Sequence, residues 1–159
     1  MRAKAQRVLS VAARAGRVGF VLLHNGDLQM WKASEKASES ADSAARSLRQ
    51  WVDAYRPDCL ISQNPDTAGK KSGKQIDILQ ALARSGDDMP ILNLVVLRTQ
   101  PFANAYAEAK ALAKQFPELK SFVPKKPKIW QSEPYRLVIF EALALVRDAG
   151  LLPKTTHNS

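Results

Sequence analysis

Apolar residues in the first third of the chain form runs separated by short polar breaks. Val8 to Ala13 and Val18 to Leu23 are almost continuously apolar, which is typical of strands covered on both faces. Asn25-Gly26 separates the second run from a third, Leu28 to Ala33, and favours a tight hairpin because both residues tolerate positive φ. The short links predict three consecutive strands in an antiparallel meander.

After the meander, helical periodicity alternates with short apolar strands. In chain order we predict a helix from about Ser40 to Tyr55, a strand at 58–62, a helix from the Ser72–Gln75 capping box to just before Gly86, a strand at 91–97, a helix starting at Pro101, and a last helix from Pro134 to Asp148. Strands joined by a crossover helix are normally parallel. The pattern therefore predicts an α/β fold with a mixed five-stranded sheet and helices on both faces.

Length and charge narrow the possible functions. The 159 residues suit one domain, expected at 1–150, followed by a loose C-terminal tail at 151–159. Lys and Arg number 24 against 15 Asp and Glu, so the net charge is +9, which is typical of nucleic-acid binders but also fits a membrane-surface protein or a merely soluble one. No apolar run approaches 18 residues and no signal-peptide core follows the basic start, so we expect a cytoplasmic protein without a membrane partner.

A lysine-rich loop follows the fourth predicted strand. Its glycines, Gly69 and Gly73, lie one residue too close together for a phosphate-binding P-loop, and Gln75 stands where Ser or Thr is needed. Lys70, Lys71 and Lys74 either contact a nucleic-acid backbone or are simply solvated. A second basic stretch before the last helix, with Trp130 next to it, could act in the same way through Lys125, Lys126 and Lys128.

Glu141 is the single charged residue in the apolar run from Leu137 to Val146. Its neighbours three and four residues away are apolar, so its side chain shares their helix face. A carboxylate in such surroundings must be paired, protonated or coordinated, because an unpaired buried charge is very costly. Glu141 is therefore either a metal or catalytic position or an edge residue that bonds an Arg or reaches solvent.

The element order and three short stretches resemble the RNase H-like superfamily, and within it the RuvC-type Holliday-junction resolvases and their YqgF relatives. Residues 8–23 look like the family's opening strand, turn and Gly-aromatic pair; Gly19-Phe20 matches that pair. Residues 57–63 look like its fourth strand, and 141–144 like the closing motif of its last helix. The resemblance spans residues 8 to 149.

That resemblance implies a metal-dependent nuclease whose acids come from the first strand, the fourth strand and the last helix. At the family's acid positions this chain has Ala12, Gln63 and Val138, and only Glu141 keeps a carboxylate. Because Mg²⁺ binds mainly through carboxylates, one acid should hold it poorly, and we expect no cofactor. The resemblance thus implies a catalytically degenerate site at which the acids have been replaced.

Our leading hypothesis is a RuvC-like domain that binds branched or duplex DNA, or structured RNA, through a basic face around Arg14 and Arg17 and the lysines named above. A second hypothesis keeps an active endonuclease dependent on Mg²⁺ or Mn²⁺, with Glu141 joined by a substitute acid: Asp66 as the best candidate, or Asp27 or Asp58. A third is a protein-interaction or scaffold module. The resemblance also makes a homodimer possible.

Overall fold

The computed structural model describes residues 6–14, 16–69, 71–131 and 133–152. Its strands are β1 (Arg7–Arg14), β2 (Arg17–His24), β3 (Asp27–Ser34), β4 (Cys59–Gln63) and β5 (Leu92–Val96). Its α-helices are α1 (Ala41–Tyr55), α2 (Gly73–Asp87), α3 (Ala105–Gln115) and α4 (Leu137–Asp148), and short 3₁₀ turns cover Lys36–Ser38, Pro65–Thr67 and Pro117–Phe122. Lys70 and residues 153–159 of the predicted tail lie outside the described residues.

The strands form one mixed sheet in the order β3-β2-β1-β4-β5. β1 pairs with β2, and β2 with β3, in antiparallel register, while β1–β4 and β4–β5 are parallel pairs. Asn25 and Gly26 both have positive φ in the predicted hairpin. The meander followed by two parallel strands confirms the architecture predicted from the apolar pattern.

Helices cover both faces of the sheet, as predicted. On one face α3 and α4 pack in a core that includes Val21, Leu23 and Ile61; on the other, α1 and α2 pack against Leu9, Phe20 and their neighbours. α4 is buried along almost its whole length. The Ser10 hydroxyl donates a 2.6 Å hydrogen bond to the Ala142 carbonyl, so β1 holds α4 by a polar contact as well as by packing.

Three of the predicted helix boundaries are confirmed. Ser40 caps α1 by accepting a hydrogen bond from the Ser43 amide, and Ser72 and Gln75 form the expected capping box at the start of α2. The last helix ends before Gly150, whose φ is +75°.

Three other predicted boundaries are wrong. Gly86 lies inside α2, because the Asn93 side chain packs where a Cβ would stand, and only glycine leaves that room. The third helix begins after Asn104, whose side chain caps the Ala107 amide, and not at Pro101. Pro134 belongs to a turn that leads into α4, since its carbonyl accepts a hydrogen bond from the Leu137 amide.

Within the described part of the chain, no helix is both long and apolar enough to cross a membrane.

Candidate functional site

A cleft of about 720 Å³ opens at the edge of the sheet where β1 and β4 end. Because β1 and β4 are parallel neighbours, their final residues, Arg14 and Gln63, reach the same edge. Residues just before and at the start of α3 form another wall, and α4 contributes Glu141. Charged side chains of both signs line the cleft: Arg14, Lys71, Arg98, Glu133 and Glu141.

Glu141 lies at the floor of the cleft and is 4% exposed. One carboxylate oxygen accepts a hydrogen bond from Arg14 Nη1 at 2.8 Å, and the other accepts from Lys71 Nζ at 2.7 Å. Lys71 Nζ also donates to the Ala13 carbonyl at 2.9 Å, and Arg14 Nε bonds the Glu133 carboxylate. Both oxygens of Glu141 are therefore held by cations of the protein itself. We call Arg14, Lys71, Glu133 and Glu141 the cleft ion cluster.

The electrostatics keep Glu141 ionised although it is buried. Burial alone would raise the pKa of its carboxyl, but the charges and hydrogen bonds of Lys71 and Arg14 outweigh that effect, so the pKa lies below its ordinary value. In the structure Glu141 is a paired acid: it bonds an Arg, and a Lys as well.

A second buried ion network adjoins the cleft. Arg98 contacts Glu108 through both terminal nitrogens and lies 3.5 Å from Asp148, while Arg147 Nη1 is 2.8 Å from Glu108 Oε2. Asp148 also accepts hydrogen bonds from the amide and hydroxyl of Thr99. This network ties the segment after β5 to α3 and to the end of α4.

The sequence pattern did not predict this network, although it contains one signal for it. Glu108 is 2% exposed and lies next to Ala109 and four residues before Leu112, both buried. An acid on a buried helix face is the same signal that marked Glu141. Arg98 follows a strand and Arg147 lies in the last turn of a helix, so local spacing did not predict that they would meet Glu108.

Two of the four positions that the resemblance assigned to metal ligands do not line the cleft. Ala12 and Val138 are fully buried in the core between the sheet and α4. Val138 packs against Gly19, the β2 partner of Ala12, so closely that an added Cβ at Gly19 would lie 2.6 Å from Val138 Cγ1. Apolar packing therefore fills the space at these positions.

Gln63 does line the cleft, and it is 1% exposed. Its side-chain nitrogen donates a hydrogen bond to the Thr67 carbonyl at 2.8 Å. Oε1 of the same amide therefore faces away from that carbonyl. Oε1 is buried and has no hydrogen-bond partner among the residues that the structure describes. The amide is thus fixed by the turn that follows β4.

The donor set does not fit a divalent metal ion. Both oxygens of Glu141 are occupied, and the described residues contain no group of three His, Cys, Asp or Glu side chains able to hold an ion. Asp66 is exposed and is not among the residues that line the cleft. Asp27 starts β3, and Asp58 precedes β4 and binds the Arg7 amide, so these two acids lie at the opposite edge of the sheet.

The predicted nucleic-acid contacts fall into separate groups. Arg14 and Lys71 belong to the cleft ion cluster, while Arg17 and Lys74 line a neighbouring groove together with Glu35. Lys125, Lys126 and Lys128 are exposed in the segment between α3 and α4. Lys70 lies outside the described residues.

Two of the tryptophan side chains have different surroundings. Trp31 packs edge-on against Phe122, with ring centroids 5.7 Å apart, and so joins the core. Trp130, next to the second basic stretch, is 76% exposed.

Solved structures of other proteins share this architecture. No family model and no curated protein sequence matches the chain. RuvC of T. thermophilus, in complex with a Holliday junction substrate, superposes with a TM-score of 0.54 at 12% identity, covering 91% of this chain and 93% of that one. The Fowlpox virus resolvase in complex with Holliday junction DNA gives 0.55 at 15% identity, with 92% and 99% covered.

The chain has the RuvC-type, RNase H-like fold. The predicted fold class is confirmed, including the five-stranded mixed sheet. At 12% and 15% identity the likeness concerns the fold, and the chemistry has to be argued from this chain's own residues.

Proposed function

We propose that this chain is a RuvC-like domain that binds DNA or structured RNA without a catalytic metal. The observation that carries the proposal is the cleft ion cluster: Arg14 and Lys71 satisfy both oxygens of Glu141. A carboxylate so engaged would have to break two charge-assisted hydrogen bonds before it could coordinate a metal ion. The cations of the protein thus take the electrostatic role that metal ions have at carboxylate sites.

Binding of a polyanion is supported by the charge that remains outside these buried pairs. The chain carries +9 overall, and Lys74, Lys125, Lys126 and Lys128 are exposed. Exposed lysines contact phosphates with little loss of internal bonding, whereas Arg14 and Lys71 are already paired. The fold gives further support, since both structures compared above hold Holliday junction DNA.

The test is binding without metal. Fluorescence anisotropy would follow a labelled four-way DNA junction, a linear duplex of the same length and a structured RNA, each in EDTA at low and high salt. We expect at least one ligand to bind at low salt and to be released as salt rises, because phosphate contacts displace condensed counterions. Absence of binding to all three at low salt would overturn the proposal and favour the scaffold alternative.

The nuclease alternative makes the opposite prediction for metal. It requires cleavage that depends on Mg²⁺ or Mn²⁺ and disappears in both Glu141→Ala and Asp66→Ala. The position of Asp66 outside the cleft lining weighs against this pair of residues. Metal-dependent cleavage unaffected by either substitution would point to a contaminating nuclease.

A further inference from the structure

A projecting apolar turn lies in the segment between α3 and α4. The Gln131 amide donates to the Lys128 carbonyl at 2.8 Å, and the Lys128 amide donates to Gln131 Oε1 at 2.9 Å. These two hydrogen bonds close a four-residue turn with Ile129 and Trp130 at its centre. Ile129 is 99% exposed and Trp130 is 76% exposed. We call residues 128–131 the tryptophan turn.

Two large apolar side chains side by side in solvent need a physical reason. Elsewhere in the described chain, large exposed apolar residues belong to strands, such as Met30 and Leu92, or stand singly. Here the turn is closed by its own hydrogen bonds, so the two side chains are presented at a fixed tip. Such an exposed apolar tip marks an interaction site more often than a single exposed residue does.

The charge around the turn indicates the kind of partner. Residues 121–131 contain Lys125, Lys126 and Lys128 and no acid. Lys128 Nζ lies 5.4 Å from the centre of the Trp130 ring, so a positive charge and an aromatic face occupy the same spot. A partner that combines negative charge with flat apolar faces complements both features, and nucleic acid has both.

The turn also lies close to the cleft. Glu133 follows Trp130 by three residues, which limits the separation of their Cα atoms to about 11 Å, and Glu133 bonds Arg14 in the cleft ion cluster. One nucleic-acid ligand could therefore contact the cleft and the turn together.

Resting on the function proposed above, we propose that the tryptophan turn stacks on an exposed nucleobase where a duplex is interrupted. Base faces inside a continuous duplex are covered by neighbouring pairs, whereas an unpaired nucleotide or a branch point leaves a face open. Trp130 would stack on that face and Ile129 would fill the gap beside it, while the lysines contact the flanking phosphates. The turn would thus select interrupted over continuous duplexes.

The test compares two labelled duplexes of equal length, one continuous and one with four unpaired nucleotides at its centre. Anisotropy titrations would use the full chain, Trp130→Ala, Ile129→Ala and, as a matched control, Leu97→Ala, which removes another exposed apolar side chain. We expect tighter binding of the interrupted duplex, and a loss of that preference, about tenfold in affinity, in Trp130→Ala. Leu97→Ala should keep it.

A spectroscopic readout checks the contact directly. Trp31→Phe combined with Trp51→Phe leaves Trp130 as the sole tryptophan, because the sequence contains three. Stacking on a base should quench its fluorescence with the interrupted duplex and much less with the continuous one.

The outcomes separate this inference from the function on which it rests. If both duplexes bind, Trp130→Ala leaves their affinities unchanged and no quenching occurs, the inference is wrong and the proposed function stands. If neither duplex binds at low salt, both are wrong. Anionic lipid vesicles would be tested in parallel, and vesicle binding that needs Trp130 without any preference between duplexes would also overturn the inference.

Discussion

At the residue scale, Glu141 shows what can and what cannot be predicted from the sequence. A lone acid in an apolar helical run requires a partner, and the run of residues 137–146 was enough to predict that requirement. The sequence did not identify the partners of Glu141, because Arg14 lies 127 residues away and Lys71 lies 70 residues away along the chain. The fold alone brings them to the same cleft.

Removing the Glu141 charge should destabilise the protein strongly. Glu141→Gln leaves the partly buried Lys71 beside a neutral amide, and loss of one partner of a buried ion pair costs about 3–5 kcal/mol of the free energy of unfolding. Urea denaturation followed by circular dichroism measures the change. Glu39→Gln, at an exposed acid, is the matched control and should shift stability by less than about 0.5 kcal/mol. Equal stability of the two variants would contradict the paired arrangement.

The same pair predicts a pH dependence. Because the pKa of Glu141 is lowered in the folded state, its stabilisation is fully present above the ordinary carboxyl value of 4.5 and is lost as pH falls through the folded pKa. The difference in unfolding free energy between the wild type and Glu141→Gln should therefore shrink as pH falls below about 4.5. Urea titrations at successive pH values measure it. A difference that stays constant down to pH ~3 would show that folding does not lower the pKa of Glu141, and would contradict the stabilisation of its carboxylate by Arg14 and Lys71.

At the scale of elements, the apolar pattern predicted the five strands and four α-helices of the described residues but not the short 3₁₀ turns. The larger errors in the bounds fell at helix ends. Pro101 predicts a helix start because proline favours the first helical position, but the helix begins after Asn104, whose side chain caps the Ala107 amide. Gly86 predicts a helix end, but it lies inside α2 and makes room for the Asn93 side chain. Tertiary packing decided both cases, and packing partners cannot be read from local sequence.

The close packing between Gly19 and Val138 gives an element-scale prediction. Gly19→Ala should cost about 1–3 kcal/mol, because its Cβ would overlap Val138 between β2 and α4, and an overpacked core relaxes only in part. Gly73→Ala is the matched control: that glycine has open space around it in the first turn of α2, so its change should be neutral or slightly stabilising. Thermal unfolding compares the two. A neutral Gly19→Ala would contradict the close packing between β2 and α4.

At the scale of the whole molecule, the sequence predicted the mixed sheet and contains an excess of positive charge. It did not show which basic side chains form buried ion pairs and which are exposed. The resemblance pointed to Gln63 and Glu141, and the structure places both in the cleft. The sequence could not show that Ala12 and Val138 are packed into the core, nor that Arg98 and Glu108 form a second network. Both facts depend on contacts between distant elements.

The exposed lysines before α4 should account for part of the salt dependence of binding. Each phosphate contact contributes about 0.9 to the slope of log affinity against log salt on duplex DNA, so the triple change Lys125→Ala, Lys126→Ala and Lys128→Ala should reduce the slope by up to about 2.7. The matched control is the triple alanine variant of Lys110, Lys114 and Lys120, three exposed lysines around a different groove. Equal slopes for the two triple variants would contradict the assignment of the nucleic-acid face.

The most direct measurement of the central claim follows binding and cleavage of one labelled four-way junction together. Samples at low salt with EDTA, Mg²⁺ or Mn²⁺ would be divided between native and denaturing gels. If the cleft ion cluster has taken the place of a metal site, the junction will be retained on the native gel in all three conditions and will be intact on the denaturing gel. Cleavage that appears only with metal and is abolished by Glu141→Gln would contradict the account.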